Sequence, residues 1–174
     1  STTEYKSLAK QVRRDIVRMV HAVQSGHPGG SLGCVEFFIA LYFDIMKNNP
    51  AFDMNAKGED VFFLSNGHIS PVFYSVLARR GYFEVSELNT FRKLNTRLQG
   101  HPTTAEHLPG VRMSSGSLGQ GLSVACGAEI NKKMNGENPA ATDEDMTQKT
   151  PSGAWYKVIA DGGEHNVGDT ITLT

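Results

Sequence analysis

Cysteine is scarce in this chain, with only Cys34 and Cys126 among 174 residues. The two are far apart and each falls within an apolar helical pattern. That argues against a disulfide framework or a cysteine zinc site and predicts two buried free thiols. Neither sign of charge is in excess. A formal net charge of −1 speaks against a nucleic-acid partner, which calls for a basic surface. Any bound anion must therefore be met by local groups. Long apolar runs are missing too, since none approaches the ~20 residues needed to cross a bilayer. The opening STTEYKSLAKQVRRDIV lacks the apolar centre of a secretory signal. The expectation is a cytoplasmic protein without membrane contact.

What is present suits a globular domain. Hydrophobic residues make up 39% and charged residues 20% of the chain, the balance of a soluble protein long enough to bury a core. From Leu8 to Val23, the residues Val12, Ile16, Val17, Met19, Val20 and Val23 recur at helical spacing, predicting a core-facing helix. Val35, Phe38, Ile39, Tyr42, Ile45 and Met46 repeat the pattern, so a second helix is expected to end before Asn48-Asn49-Pro50. Asp60-Val-Phe-Phe-Leu-Ser65 is a short unbroken apolar run, the pattern of a strand buried on both faces in a parallel sheet. Ser70 before Pro71 reads as a capping hydroxyl with proline at the first helical position, and Gly81 as the stop. Ser86 is expected to cap a shorter helix carrying Leu88 and Phe91. The segment 95–116 lacks periodicity and reads as a binding loop. A helix rich in small residues should follow it to about Lys133, with Leu122, Ala125, Cys126 and Ala128 closely packed.

Three of the six histidines share one setting, a glycine or proline turn beside the end of an element: Gly26-His27-Pro28, Gly67-His68-Ile69 and Gly100-His101-Pro102. Any one alone could do no more than hydrogen-bond its turn. Three in equivalent places point to a shared site, because element ends in α/β folds converge on a crevice where ligands bind. No pair has the short spacing of zinc ligands on one element. Gly116-Ser-Leu-Gly-Gln-Gly121 opens a helix, where free N–H groups and the helix dipole favour a phosphate or diphosphate. It is neither a Walker loop nor a dinucleotide fingerprint.

SGHPGGSLG at 25–33, LSNGHISPVFY at 64–74, QGHP at 99–102 and SGSLGQGLSVACG at 115–127 together resemble, in order and spacing, the N-terminal diphosphate-binding half of transketolases. The likeness is greatest to the N-terminal subunit of the split, two-gene form, and covers about residues 7–134. The resemblance implies an α/β fold, a mainly parallel sheet flanked by helices (the thiamine diphosphate-binding fold), of which this chain holds an incomplete part. It implies thiamine diphosphate, a divalent cation (usually Mg2+), and transfer of two-carbon ketol groups between sugar phosphates in the pentose phosphate pathway. His27 and His101 would face substrate oxygens and assist proton transfer, while His68 would lie near the diphosphate. Gly116, Ser117, Leu118 and Gly119 would line the cofactor.

The tail departs from the family pattern. In place of Gly-Asp-Gly-Glu it carries Ala160-Asp161-Gly162-Gly163-Glu164, so Asp161 is the candidate metal ligand by resemblance, against a surface hairpin turn. The resemblance puts a second metal ligand, an asparagine, about thirty residues further on, beyond Thr174. Three segments are expected: a diphosphate-binding domain over 1–134, an acidic linker or loop over 135–153, and a hairpin-like tail or degenerate metal motif over 154–174. The resemblance also places the glutamate that activates the cofactor on a pyrimidine-binding domain or C-terminal transketolase subunit. The chain alone should therefore be inactive and should form homo- or hetero-oligomers. The competing expectation is a non-catalytic, truncated or degenerate homologue serving as a binding module.

Overall fold

The structure, a computed structural model, describes residues 2–136. Helix α1 spans Thr2–Val23, α2 Pro28–Gly33, α3 Val35–Ala40, α4 Ser70–Arg80 and α5 Gln120–Met134. One π-helical turn, Leu41–Ile45, continues α3, and short 3-10 turns occupy Gly67–Ile69, Val85–Thr90 and Thr104–Glu106.

The hub is α4. Val72, Phe73, Tyr74, Val76, Leu77 and Ala78 are all buried, so this helix is enclosed on every side rather than along one stripe, and α1, α2 and α3 pack around it. Its start differs from the expectation. Ser70 is fully buried, and its hydroxyl donates to the Gly100 carbonyl at 2.7 Å instead of capping its own helix. The stop is as expected: Gly81 takes the left-handed conformation at φ 99°, which glycine enters without steric penalty.

Helix α1 begins at Thr2, earlier than its apolar pattern, and buries Val12, Ile16 and Met19 against α4. Val17, expected on the same face, is 52% exposed. A buried ion pair joins the two helices. Asp15 accepts from Arg79 Nε at 2.6 Å and Nη2 at 2.9 Å, from Ser75 Oγ at 2.8 Å and from Gln11 Nε2 at 3.1 Å. Every donor that a buried carboxylate demands is thus supplied. Ser86 lies inside the 85–90 turn, which has no side-chain cap, while Leu88 and Phe91 are buried as expected.

Two further expectations are corrected. No strand forms among the described residues. The run 60–64 has no regular assignment, and only Leu64 in it is buried. A strand is defined by the ladder it shares with a neighbour, and the described residues carry no second β-prone run to pair with it. Helix α5 is also not closely packed: Leu122, Ile130 and Met134 are 67%, 58% and 81% exposed. Cys126 is exposed and Cys34 only half-buried, though both thiols are free. Lys132 is the helix's inward anchor, its Nζ donating to the carbonyls of Ala56 at 2.6 Å and Glu59 at 3.1 Å. Among the described residues no helix is long and apolar enough to cross a membrane. From residue 137 on, the linker, the tail and with it Asp161 fall outside the described residues.

Candidate functional site

The three histidines arrive from different elements. His27 stands where the chain leaves α1 and enters α2, after Gly26 at φ 139°; that backbone conformation, and Val20 Cγ2 only 3.0 Å from where a Cβ would sit, leave room for glycine alone. His68 occupies the single turn that feeds α4. His101 lies in the loop after Leu98, and this loop is fastened to α4 at two points. Ser70 Oγ donates to the Gly100 carbonyl, and the buried Tyr74 hydroxyl donates to Gln99 O at 2.8 Å. Positions 70 and 74 are four apart on one helical face, so one rigid element both introduces His68 and fixes the loop of His101.

These placements bring the imidazoles into contact. His27 and His68 meet edge to face with ring centroids 5.1 Å apart, and His68 meets His101 in the same manner at 4.7 Å. His68, half-buried, is the middle ring, while His27 and His101 are exposed. The loop 115–119 closes against them. A Cβ on Gly116 would lie 2.7 Å from His101 Cδ2, and one on Gly67 would lie 2.7 Å from Ser115 Oγ and 2.8 Å from Gly116 N. Bare backbone therefore touches ring at one point and bare backbone at the other. From there Ser117, Leu118 and Gly119 continue at the surface.

Electrostatics keep His101 neutral. Its pKa lies below the ordinary histidine value, first because partial burial penalises the imidazolium, then because His68, Arg92 and His27 add positive charge nearby. Arg92 itself reaches across to donate to Ser25 Oγ at 2.9 Å, two residues before His27. At neutral pH the His101 imidazole can thus accept a proton through one nitrogen and donate through the other.

Sequence reasoning missed several members of this assembly. Ser65 Oγ accepts from Gly119 N at 3.0 Å and Gly121 N at 3.2 Å. Ser115 Oγ is buried without a hydrogen-bond partner. For Ser70 and Tyr74 a signal existed, two hydroxyls four positions apart on α4. Ser65, 54 residues from Gly119 in sequence, carried no such signal.

The family model for the transketolase thiamine diphosphate binding domain matches residues 4–166. The chain belongs to the transketolase family. Transketolase of Buchnera aphidicola is 42% identical over 129 residues, which is 74% of this chain and 19% of that protein. An apulose-4-phosphate transketolase subunit of Actinobacillus succinogenes is 36% identical over 137 residues, 78% of this chain and 49% of that protein. Among solved structures, transketolase from Leishmania mexicana aligns with a TM-score of 0.65 at 33% identity, covering 71% of this chain and 18% of that one. The chain thus spans about a fifth of the length of transketolases such as that of Buchnera and about half that of the Actinobacillus relative. These structural neighbours are transketolases, proteins of the thiamine diphosphate-binding α/β fold.

The transketolase residues present fit that cofactor in kind. Gly116 and Gly119 take positive φ values of 124° and 89°, nothing lies within 4 Å of where a Gly119 Cβ would point, and the Ser115 hydroxyl is an unmet buried polar group beside them. Backbone that must come close to a bulky ligand needs such positions. The N–H of Gly119 is already held by Ser65, so the donors of Gly116, Ser117 and Leu118 are the candidates for phosphate oxygens. For the cation the described residues offer less: among them no group of three or more His, Cys, Asp or Glu side chains is placed to hold a metal.

Proposed function

We propose that the chain is a transketolase-type N-terminal subunit or fragment contributing the diphosphate half of a thiamine diphosphate site, for two-carbon ketol transfer between sugar phosphates. The observation that carries the reading is the contact of His27, His68 and His101 with one another beside the glycine loop at Gly116. When bound, thiamine diphosphate supplies the carbon nucleophile for a ketose carbonyl. The chain's residues then have separable parts. His27 and His101, exposed at the two ends of the cluster, hold or pass protons at substrate hydroxyl and carbonyl oxygens. His68, between them, faces the diphosphate, and Gly116, Ser117, Leu118 and Gly119 line the cofactor.

Several finer points belong to the same proposal. Mg2+ would take Asp161 as one ligand. A C-terminal transketolase subunit or pyrimidine-binding domain would complete the site, a reading supported by relatives that are themselves named as subunits of a transketolase. Without that partner the chain is inactive. Apolar side chains exposed along α5 support association into an oligomer, and the setting would be the cytoplasmic pentose phosphate pathway. Calorimetric titration with thiamine diphosphate and Mg2+, first on the chain alone and then with a pyrimidine-binding subunit present, tests the proposal. Heat of binding that grows in the presence of that subunit is expected; no heat under either condition would leave only a non-catalytic binding module.

A further inference from the structure

Helix α5 begins without a cap of its own. Its N-cap residue is Gly119, left-handed at φ 89° and without a side chain, where Ser, Thr, Asp or Asn would ordinarily accept from the first free N–H groups. The acceptor comes instead from Ser65, whose hydroxyl oxygen takes both the Gly119 and the Gly121 N–H. The fit is close on both sides, because a Cβ on Gly121 would lie 2.7 Å from Ser65 Cα. Ser65 stands three residues before His68, and Gly119 three residues after Gly116, the backbone that abuts the His101 ring. One hydroxyl therefore ties the segment bearing the middle histidine to the loop that closes on its neighbour.

We propose that Ser65 is a positioning residue for the cofactor loop: its hydroxyl, acting as a cap delivered from a distant segment, sets where residues 116–119 stand relative to His68 and His101. The proposal rests on the thiamine diphosphate reading for its purpose, but not for its geometry. With both lone pairs of Ser65 Oγ engaged by α5, the Gly119 N–H is removed from the donors that face a ligand. Loop placement, rather than direct contact, is what this residue supplies.

The test is Ser65→Ala in the full chain, without cofactor first. Amide hydrogen exchange by NMR should speed up ~10-fold at Gly119 and Gly121, the scale of a lost cap, while Val72, Val76 and Leu77 in α4 stay protected. The titration midpoint of His101 should rise toward the ordinary histidine value as Gly116 leaves its ring, with His68, Arg92 and His27 still in place around it. A merely structural cap would change the exchange alone, so an unmoved His101 midpoint overturns the proposal. Should Ser65→Ala loosen α4 as well, Gly121→Ala decides, since its methyl parts the same two segments while keeping the hydroxyl; an unmoved His101 there also overturns it. Calorimetry with thiamine diphosphate and Mg2+ should then show ~10-fold weaker binding in Ser65→Ala, and unchanged affinity counts against the proposal. A wild-type chain that gives no heat even with a pyrimidine-binding subunit present refutes the cofactor reading instead, while exchange and titration still decide what Ser65 positions.

Discussion

Gly67→Ala offers a direct probe of how the site is closed. The new methyl would lie 2.7 Å from Ser115 Oγ and 2.8 Å from both Gly116 N and Ser115 C. Two of these three neighbours are backbone atoms, so no rotamer change relieves the contact. Atoms not bonded to each other settle at about 3.5 Å, and the segments carrying Gly67 and Gly116 must therefore part by roughly 0.7 Å. Gly67 has no left-handed φ, so the effect is steric and does not mix with backbone strain. Overpacking of this kind costs about 1–3 kcal/mol. For a chain of this size each kcal/mol lowers Tm by about 2–4 °C, which gives a fall of about 2–12 °C.

The functional consequence is larger than the stability cost. Displacements on the order of 1 Å at a reacting site cost ~100-fold in rate, so a site completed by its partner subunit should lose about 10- to 100-fold in turnover with Gly67→Ala. The control is Gly127→Ala, inside α5, where nothing lies within 4 Å of the added methyl. Removing glycine from a helix interior stabilises by about 0.4–1 kcal/mol, so this variant should melt slightly higher and bind cofactor unchanged. Thermal melting by circular dichroism and calorimetric titration with thiamine diphosphate and Mg2+ read both effects. A Gly67→Ala protein that melts with the wild type and binds equally well would refute the reasoning.

Asp15→Asn strips the charge partner from Arg79 in the buried pair between α1 and α4; loss of one member of such a pair costs about 3–5 kcal/mol, and a denaturant midpoint within error of wild type would contradict it. Lys132→Met removes both Nζ bonds and leaves the Glu59 carbonyl without that donor, while Ala56 O keeps the Glu59 N–H, for an expected loss of about 1–3 kcal/mol in the same assay. His101 should titrate by NMR below the ordinary histidine value, and His68→Asn should raise it only partway, since burial is the larger cause. The sign of the pH dependence follows: the unfolded chain takes up this proton first, at about 6.5, so His101 lowers stability as pH falls from there to its native value and changes nothing above. A His101 midpoint above 6.5 would reverse that sign and the account with it.

The helices were legible where one physical rule acted alone. Gly81 stops α4 because a left-handed residue must follow, and α1 buries Val12, Ile16 and Met19 because they share a stripe. The histidines were legible as a set because each sits on a turn at the end of an element, and such ends meet. Where two rules competed, the local one lost. Ser70 beside Pro71 had everything a helix cap requires, yet its hydroxyl is fully buried and serves the Gly100 carbonyl, since a polar group taken out of water without a partner costs more than a cap bond returns. The reverse substitution occurs at α5, whose own N-cap glycine has no side chain and whose cap arrives from Ser65. Sequence patterns register neighbours within a turn or two, whereas both exchanges connect segments at least thirty residues apart.

The apolar run at 60–64 shows the same division from the other side. Its composition reads as a strand buried on both faces, whereas the chain there is irregular and largely half-buried and leads directly into Ser65 and the turn of His68. Pairing is a property of two segments, however, and a ladder cannot be specified by one of them. What this run achieves is positional: it leads into Ser65, whose hydroxyl grips α5 and which stands three residues before the central imidazole. Among the described residues the histidine cluster is held by two glycine contacts, Gly67 against Ser115 and Gly116 against His101, and by the α4 hydroxyls behind them. Mutations that enlarge either glycine should disturb the histidine cluster more than mutations that weaken the β-propensity of 60–64.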